Sequence, residues 1–375
     1  MTVEIFAEAP HAVWLEYDSS DRSVQVVPDR PGAFKRTPSV VIAPSGDWVQ
    51  CRFEIDDGRF CRAVNGADFR LASDLPAELP LRIRRCAVAP LAADLSRTTV
   101  AAARVAAALA FPAATDPAVS VIVPVFNRLE LTLQCLTALR ANTGAGYEVL
   151  VVDDGSSDGT AEALRAIRGL RVLEHGANRG FAAACNAGAA AARGRYLLFL
   201  NNDTVPQGGW LESMVAAAES DRTIGIVGAK LLFPETGEIQ HAGVEFTAEG
   251  VPVHRLELAA ADDPAVCRSR PVPAVTGACL LIRRIVFERC GGFDERFRNG
   301  YEDIDLCLRV REAGHEVLYC ASSVLLHHAC VSDGRWTHEA ANRTLFLSRW
   351  KERLGALTAI RATDGRGADR APLRG

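Results

Sequence analysis

The sequence has no excess of positive charge. Its 375 residues include 42 Lys and Arg against 46 Asp and Glu, which gives a formal net charge of −4. A protein that binds nucleic acid usually carries a basic excess or a basic stripe, and neither is present. The composition therefore predicts no nucleic-acid partner.

Long apolar runs are also missing. The sequence contains no run of 18 or more apolar residues, the length that suggests a membrane-spanning helix. The start, MTVEIFAEAPH, lacks the basic and apolar regions of a secretory signal. The nearest candidate for membrane contact, residues 98–111, is short and is interrupted by Arg104. We interpret it as an Ala-rich linker helix.

The eleven cysteines include no CxxC pair. An odd number of cysteines without metal-ligand spacing argues against both a disulfide framework and a zinc site. Cys135, Cys185, Cys279 and Cys307 lie in apolar or helical contexts. The pattern indicates buried free thiols in a reducing compartment, and we expect a cytoplasmic location.

The N-terminal residues 1–81 predict a small, β-rich accessory domain. Short segments rich in β-branched and aromatic residues are separated by turn signals such as DSSD and PSGD. These segments are VWLEYD, SVQVVP, SVVIAP, WVQCRFEI and FCRAV. Residues 82–117 are predicted to form a helical linker, and the polar, Gly- and Arg-rich residues 356–375 a disordered tail.

The central residues 118–355 predict an α/β domain. VSVIVPV is a continuous apolar run, as expected for a strand that is buried on both faces. YEVLVV, LRVLE and RYLLFL follow, and segments with helical spacing lie between them. Strands that alternate with such helices indicate a mostly parallel sheet that is flanked by helices.

Polar clusters follow three of these strands. They are FNR at 126–128, DDGSSDGT at 153–160 and NND at 201–203. Each cluster alone is typical of a turn or a helix cap. Because ligands bind at the carboxyl ends of parallel strands, the three clusters together predict one ligand-binding crevice. Neither a GxGxxG fingerprint nor a P-loop follows the first strand, which argues against NAD and against a P-loop nucleotide site.

Seven blocks follow one another along the central residues: VSVIVPVFNR, YEVLVVDDGSSDGT, ANRGFAAACNAG, LLFLNNDT, VTGACLLIRR, GGFDERF and YEDIDLCLRVREAG. In this order they resemble the inverting family-2 glycosyltransferases with the GT-A fold. The resemblance covers about residues 118–350 and is strongest to bacterial O-antigen and cell-surface polysaccharide transferases, including the rhamnosyl type.

The resemblance implies a metal-dependent hexosyl or deoxyhexosyl transferase. Such an enzyme moves a sugar from a nucleoside-diphosphate donor, with UDP or dTDP favoured, to a hydroxyl of a growing or lipid-linked glycan. It implies Mg²⁺ or Mn²⁺ as cofactor, because these cations prefer carboxylate and phosphate oxygen. It is also compatible with an oligomer and with peripheral association at the inner face of the cytoplasmic membrane.

The resemblance also assigns expected site residues. Asp203 and His327 would hold the metal. Asp303 would act as the base that activates the acceptor hydroxyl, supported by Glu302. Nucleotide-sugar contacts would come from Pro124, Phe126, Asn127, Asp154, Arg179, Gly180 and Asn202.

Structural interpretations of several residues remain open beside these assignments. Asp203 could cap the next helix, and the acids at 302–303 could merely cap theirs. Asp305 is expected to supply helix N-terminal charge. Asn186, His241 and His254 could be structural or could shape the donor or acceptor side, and Trp210 is expected to be a packing anchor.

The sequence departs from the family pattern at residues 329–333. Ala329 and Cys330 replace the usual Glu-Ser, and Asp333 replaces an Arg that could bind phosphate. The alternative function is therefore a catalytically impaired sugar-nucleotide-binding or scaffold protein of the same fold. A nucleotidyltransferase is disfavoured because PVFNRLEL lacks a Gly-rich basic loop.

Overall fold

The computed structural model describes residues 104–328 except 113, 145 and 235, residues 335–364, and the backbone of seven strands between residues 2 and 87. The chain divides into two compact units, Met1–Thr98 and Thr99–Gly375.

The described strands of the first unit form two antiparallel sheets. One has the order β5-β1-β7, and in the other β2 pairs with β3, β4 and β6. Their strands are β1 (Thr2–Phe6), β2 (His11–Tyr17), β3 (Lys35–Arg36), β4 (Val40–Ile42), β5 (Trp48–Arg52), β6 (Phe69–Ser73) and β7 (Arg82–Ala87). The β-rich character predicted for this region is confirmed, although the predicted strands SVQVVP and FCRAV lie outside the described residues.

The segment 82–117 differs from the helical linker that the sequence predicts. Its first residues form β7, which pairs antiparallel with β1 and places Ile83 opposite Ile5. A helix is present only over residues 104–108 within the described part of this segment. Sequence periodicity did not reveal β7, because its pairing partner lies about eighty residues earlier in the chain.

The second unit begins with a parallel sheet. The strands β8 (Val119–Val125), β9 (Tyr147–Asp153), β10 (Arg171–Glu174) and β11 (Tyr196–Leu200) are ordered β10-β9-β8-β11. Every residue of β8, β9 and β11 is buried, as their continuous apolar runs predict. The helices between them are α1 (Leu129–Asn142), α2 (Thr160–Ala166) and α3 (Phe181–Ala191).

The sheet continues beyond β11 as a mixed sheet with ten strands. The remaining members are β12 (Thr204–Pro206), β13 (Ile224–Leu232), β14 (Ile239–His241), β17 (Arg270–Pro271), β18 (Cys279–Arg283) and β19 (Glu316–His327). β18 is antiparallel to both β11 and β13, whereas β13 and β19 are parallel. A separate hairpin joins β15 (Val244–Phe246) and β16 (Pro252–His254). The predicted α/β class, with a mostly parallel sheet flanked by helices, is confirmed.

The later helices are α4 (Trp210–Ser220), α5 (Arg284–Arg289), α6 (Glu302–Glu312) and α7 (Glu339–Asp364). α7 packs on the domain through its buried residues Phe346, Trp350 and Leu354. It continues to Asp364, so it enters the segment for which the sequence predicts a disordered tail. No helix within the described residues is both long and apolar enough to cross a membrane.

Asp305 has a larger role than the helix-terminal charge that the sequence predicts. Its carboxylate is fully buried and accepts hydrogen bonds from Arg309 at 2.8 Å, Arg349 at 2.5 Å and the Trp350 indole at 3.0 Å. Because two of these partners belong to α7, Asp305 joins α6 to the C-terminal helix.

The cysteine prediction agrees with the described part of the chain. Cys135, Cys185, Cys279 and Cys307 are free and buried. Burial raises the pKa of the Cys135 thiol to about 12, so this group is protonated at neutral pH.

The chain topology creates a crevice beside β8. β9 and β10 lie on one side of β8, whereas β11, which follows them in the chain, lies on the other side. The loops that leave β8 and β11 therefore diverge at the carboxyl ends of the strands, where open α/β sheets bind ligands. Helix α3 packs close to this point, since a Cβ on Gly188 would lie 2.4 Å from Ile122 of β8.

Candidate functional site

A pocket of about 510 Å³ opens at this crevice. The polar clusters that follow β8, β9 and β11 all contribute to it, as predicted. Of the predicted site residues, the wall contains Pro124, Phe126, Asp154, Gly180, Asn202, Asp203, Glu302 and Asp303. Asn127, Arg179 and His327 are not part of the wall itself.

Hydrogen bonds join the loop after β8 to the loop after β9. Asn127 and Arg128 adopt left-handed backbone angles, with φ of 57° and 63°. The Asn127 amide N–H donates to Ser156 Oγ at 2.7 Å, and its side-chain oxygen accepts from the Ser157 amide at 2.8 Å. Asn127 thus holds the loop in place, and its neighbour Phe126 presents an exposed ring at the pocket.

Asp154 is engaged by protein groups. Its carboxylate accepts hydrogen bonds from the backbone amides of Arg179 and Gly180 at 2.8–3.0 Å, and it lies 2.7 Å from His175 Nδ1. The residue is 4% exposed. Its carboxylate therefore holds the two residues that precede α3 from within the pocket wall.

Arg179 and Gly180 contribute mainly through the backbone. The Arg179 guanidinium is 56% exposed and lies 3.8 Å from Glu295. Gly180 has φ of 92° and ψ of 166°, a conformation that is open to glycine and strained for other residues. This backbone conformation therefore explains why a glycine is present at position 180.

Asp203 and His327 meet at one edge of the pocket. β12 pairs with the end of β19 and aligns Thr204 with His327, and the Asp203 carbonyl accepts from the His328 amide at 3.0 Å. This pairing brings Asp203 Oδ1 to 3.2 Å from His327 Nε2. Both residues are buried, at 5% exposure. Asp203 does not cap the next helix, whose N-cap residue is Gly209.

Gln240 fixes the orientation of His327. Its amide nitrogen donates to the His327 carbonyl at 2.9 Å, and its amide oxygen lies 2.5 Å from His327 Nδ1. Because an amide oxygen only accepts, the imidazole proton is on Nδ1. Nε2 faces Asp203, and the Asn201 amide nitrogen lies 3.4 Å from it.

Asp203 and His327 form a donor pair that fits a divalent cation. A carboxylate oxygen and an imidazole lone pair are both suitable ligands. Within the described ranges, no group of three or more His, Cys, Asp or Glu side chains converges on a common point. Water or a substrate oxygen would therefore have to complete a metal shell here.

Glu302 and Asp303 differ in what they do. Glu302 is buried, and its carboxylate accepts from the Gly300 amide at 2.6 Å, which ties it to the turn that begins α6. Asp303 accepts from the Gly277 amide at 2.6 Å and from the Ile304 amide at 2.8 Å. Asp303 is the more accessible of the two acids. The geometry favours Glu302 as a structural acid and Asp303 as the group that faces a ligand.

The pocket wall is strongly acidic. It includes the six carboxylates of Asp154, Asp203, Glu257, Glu302, Asp303 and Glu339. No Lys or Arg is present among the described residues of this wall. An anionic ligand can enter such a pocket only if a cation accompanies it, because unscreened like charges repel at short range.

The structure decides the interpretations of Asn186 and Trp210 but not that of the segment at residues 329–333. Asn186 is structural, since its side chain binds the backbone of Phe293 in both directions. Trp210 is fully buried and donates to Thr143 Oγ1 at 2.9 Å, as expected for a packing anchor. The altered segment at Ala329, Cys330 and Asp333 lies outside the described residues.

Sequence reasoning missed part of the site. Gln240 stands directly before His241 in IQHAGV, but nothing local reveals that it contacts His327 in another strand. Tyr301 and Glu339 also line the pocket and join each other through a 3.0 Å hydrogen bond. Burial, and the neighbouring Glu339 carboxylate, raise the pKa of the Tyr301 hydroxyl to about 12. These contacts depend on residues that are distant in sequence.

Comparison with known sequences gives a consistent family match. The family model described as glycosyl transferase family 2 matches residues 120–291. The O-antigen biosynthesis protein RfbC of Myxococcus xanthus is 37% identical over 236 residues, which cover 59% of this chain and 18% of that protein. The N-acetylglucosaminyl-diphospho-decaprenol L-rhamnosyltransferase of Mycobacterium tuberculosis is 30% identical over 222 residues, which cover 53% of this chain and 72% of that protein.

The chain spans 26%, 18% and 42% of the length of three of the curated relatives that it matches. Among solved structures, it is similar to the mannosyltransferase PcManGT from Pyrobaculum calidifontis in complex with GDP-Man and Mn²⁺. That match has a TM-score of 0.45 and 22% identity, and it covers 67% of this chain and 70% of that one.

Proposed function

Because the chain belongs to glycosyl transferase family 2, we propose that it transfers a sugar from a nucleoside-diphosphate sugar to a hydroxyl of a growing glycan. The observation that carries this proposal is the acidic pocket, at whose edge Asp203 lies 3.2 Å from His327 and in whose wall a backbone amide holds the Asp303 carboxylate. We propose that the transfer depends on a divalent cation and inverts the configuration of the sugar carbon.

The charge of the pocket supports metal dependence. A nucleoside diphosphate brings at least two negative charges into a wall that carries six carboxylates. Asp203 and His327 would hold Mg²⁺ or Mn²⁺, which would offset the charge that develops on the departing diphosphate. Gln240 keeps the His327 proton on Nδ1, so that Nε2 stays available to the cation.

Asp303 supports a direct displacement. The Gly277 and Ile304 amides hold its two carboxylate oxygens in place. A carboxylate in this position takes the proton from the acceptor hydroxyl as the hydroxyl attacks the sugar carbon. The carbon–oxygen bond to the diphosphate breaks on the opposite side of the sugar, so the configuration inverts and no covalent enzyme intermediate forms.

The relatives guide the choice of substrates. The names of two of them refer to O-antigen biosynthesis and to transfer of L-rhamnose. We propose a hexosyl or deoxyhexosyl donor carried by UDP or dTDP, and a glycan or lipid-linked glycan acceptor in cell-surface polysaccharide synthesis. Phe126, Asn202 and Pro124 would form the nucleotide side of the pocket, near the carboxyl ends of β8 and β11. For such a reaction we propose a location in the cytoplasm, at or near the inner face of the membrane.

Calorimetric titration of UDP, dTDP and GDP, with and without Mn²⁺, tests this proposal. We expect one nucleotide to bind the native protein only when Mn²⁺ is present, and Asp203→Ala to abolish that binding. Asp262→Asn is the matched control, because Asp262 is exposed and is not part of the pocket wall.

The outcomes separate the competing functions. Failure of every nucleotide to bind folded native protein would contradict sugar transfer. Nucleotide binding without consumption of any NDP-sugar would instead support the catalytically impaired binding protein. Release of pyrophosphate from a nucleoside triphosphate and a sugar phosphate would identify a nucleotidyltransferase.

A further inference from the structure

Two histidines meet at the pocket, and one of them, His254, lines its wall. His241 Nδ1 lies 2.9 Å from His254 Nδ1, and the two rings pack edge to face with centroids 5.1 Å apart. His241 is fully buried, whereas His254 is exposed and lines the pocket. The buried side chain of His241 therefore supports the side chain of His254, which a ligand can reach.

The backbone brings this pair together. Gly243 has φ of 98° and turns the chain between β14, which ends at His241, and β15. In the hairpin, His254 of β16 pairs with Val244 of β15, and the Arg255 amide donates to the Gly243 carbonyl at 2.9 Å. His254 is consequently held on a paired strand, in contact with His241.

The hydrogen bonds define where each proton lies. The Thr276 amide approaches His241 Nε2 at 3.4 Å, so Nε2 acts as the acceptor. Burial holds the pKa of His241 well below its ordinary value, and the neighbouring rings of His254 and His327 add to this effect, so the ring is neutral. Its single proton is then on Nδ1 and is donated to His254 Nδ1. His254 accepts on Nδ1 and carries its own proton on Nε2.

The pair is close to the proposed base. The Thr276 amide contacts His241, and the next amide, that of Gly277, holds the Asp303 carboxylate. His254 contacts His241 and is thus connected to Asp303 through the backbone of Thr276 and Gly277. His254 and Asp303 also line the same pocket, so a ligand that presents one hydroxyl to Asp303 can present another to His254.

The charges around His254 select the kind of group it binds. Glu257, Glu302, Asp303 and Glu339 line the same pocket. These carboxylates disfavour a phosphate or carboxylate ligand at this position and favour a neutral hydroxyl group. We propose that His254 donates a hydrogen bond from Nε2 to a sugar hydroxyl of the acceptor, and that His241 is the residue that positions it; this inference rests on the proposed sugar transfer.

Ligand-observed NMR on the full chain, saturated with UDP and Mg²⁺, tests the contact. The probes are the methyl glycosides of rhamnose, glucose and N-acetylglucosamine. We expect the native protein to bind at least one of them. The substitution His254→Phe keeps a ring but removes the N–H, and we expect it to weaken that binding about tenfold. His254→Gln, which restores a donor, should recover part of it. His315→Gln is the matched control, because His315 precedes β19 at the end opposite His327.

A second readout tests the positioning role of His241. Long-range ¹⁵N–¹H NMR of the histidine rings should show the proton of His254 on Nε2 in the native protein. In His241→Phe, which removes the Nδ1 donor, the His254 ring should become a mixture of both tautomers, and glycoside binding should weaken. A purely structural role of His241 would leave the tautomer of His254 unchanged.

The two proposals fail in different ways. UDP binding, measured by calorimetry, should be the same in the native protein and in both His254 variants. If the native protein binds UDP but binds no glycoside, or if His254→Phe binds glycosides as the native protein does, the assignment of His254 is overturned. A His254 proton on Nδ1 would overturn it as well. Failure of UDP, dTDP and GDP alike to bind the native protein would contradict the proposed sugar transfer itself.

Discussion

At the residue scale, the site is organised by backbone amides that hold carboxylates. Asp154 receives the amides of Arg179 and Gly180, and Asp303 receives those of Gly277 and Ile304. Glu302 receives the Gly300 amide. Amide donors stabilise the charged form of a carboxylate without bringing a second charge into the pocket. This explains how an acidic wall persists although no Lys or Arg is present in its described part.

Substitution of the proposed base separates catalysis from binding. We expect Asp303→Asn to lower the transfer rate about 10²–10⁴-fold, because the amide cannot accept the hydroxyl proton. Nucleotide affinity should remain close to that of the native protein. Single-turnover kinetics with the donor identified by calorimetry, together with the UDP titration, provide the measurement.

Glu302→Gln is the matched variant for that experiment. It keeps an oxygen that can accept from the Gly300 amide, so the transfer rate should fall much less than in Asp303→Asn. An equal loss of rate in the two variants would contradict the assignment of Asp303 as the base.

Gln240 offers a test of the metal pair that does not depend on turnover. Gln240→Ala removes the group that holds the His327 proton on Nδ1, and we expect Mn²⁺ affinity to fall about 10–100-fold, as for other residues that orient a metal ligand. Electron paramagnetic resonance of free Mn²⁺ in the presence of UDP measures this directly. Unchanged Mn²⁺ affinity, with Asp262→Asn as the control, would show that Gln240 has no such role.

At the element scale, charged side chains connect elements that are far apart in the chain. Asp305 of α6 binds Arg349 and Trp350 of α7 from a fully buried position. Glu148 of β9 connects three further parts of the chain, since it binds Ser120 of β8, Arg171 of β10 and Arg193, which follows α3.

Removal of the Asp305 charge should loosen α7. Asp305→Ala leaves Arg309 and Arg349 partly buried without their carboxylate, and such a change costs about 3–5 kcal/mol. The free energy of unfolding in urea, with Glu312→Ala as the control, measures the effect. Glu312 also binds an arginine of α7, Arg353, but both side chains of that pair are exposed, so its removal should cost less than about 1 kcal/mol.

Glu148 should make stability depend on acid pH. Burial by itself raises the pKa of this carboxyl group, but the hydrogen bonds from Ser120, Arg193 and Arg171 outweigh it and lower the pKa to about 2, from an ordinary value of 4.5. A lowered carboxyl pKa stabilises the folded state above the unfolded-state value. This contribution should be complete above pH 4.5 and should be lost as the pH falls towards 2. Thermal unfolding between pH 2 and pH 6 measures it, and Glu148→Gln should flatten the profile.

At the scale of the whole molecule, the second unit has a core of its own that begins before β8. Ala106, Leu109 and Phe111 are buried in it. The arrangement of strands around β8 then places every proposed donor-site residue within this unit. The boundaries 1–81, 82–117 and 118–355 remain predictions, and these three buried residues argue for a start of the second unit before residue 104.

Two truncated chains test this boundary. We expect residues 99–375 to fold cooperatively and to bind nucleotide with Mn²⁺. A chain of residues 118–375 loses Leu109 and Phe111 from the core, and we expect it to be less stable by about 3 kcal/mol or more. Urea unfolding of the two chains compares them, and equal stability would contradict a core that begins before β8.

Much of the second unit could be predicted from the sequence because its signals are local. The apolar runs of β8, β9 and β11 and the spacing of the helices reveal the parallel half of the sheet. The polar clusters at the ends of these strands reveal the crevice, and Asp203 and Asp303 stand out by the motifs around them. The pairing of β7 with β1 and the roles of Asp305 and Gln240 were not predictable in this way, since each depends on a distant partner.

The sequence by itself determined the α/β class, the family and the main acidic residues of the site, because periodicity and motifs depend only on neighbouring residues. Only the tertiary structure decided what these residues contact. It assigned Asp154 to the amides that precede α3, placed Asp203 beside His327 Nε2 and Gln240 beside His327 Nδ1, and brought His254 into contact with His241. The physical reason is that hydrogen bonds and burial are set by distances in space, and the partners here come from strands and loops far apart along the chain.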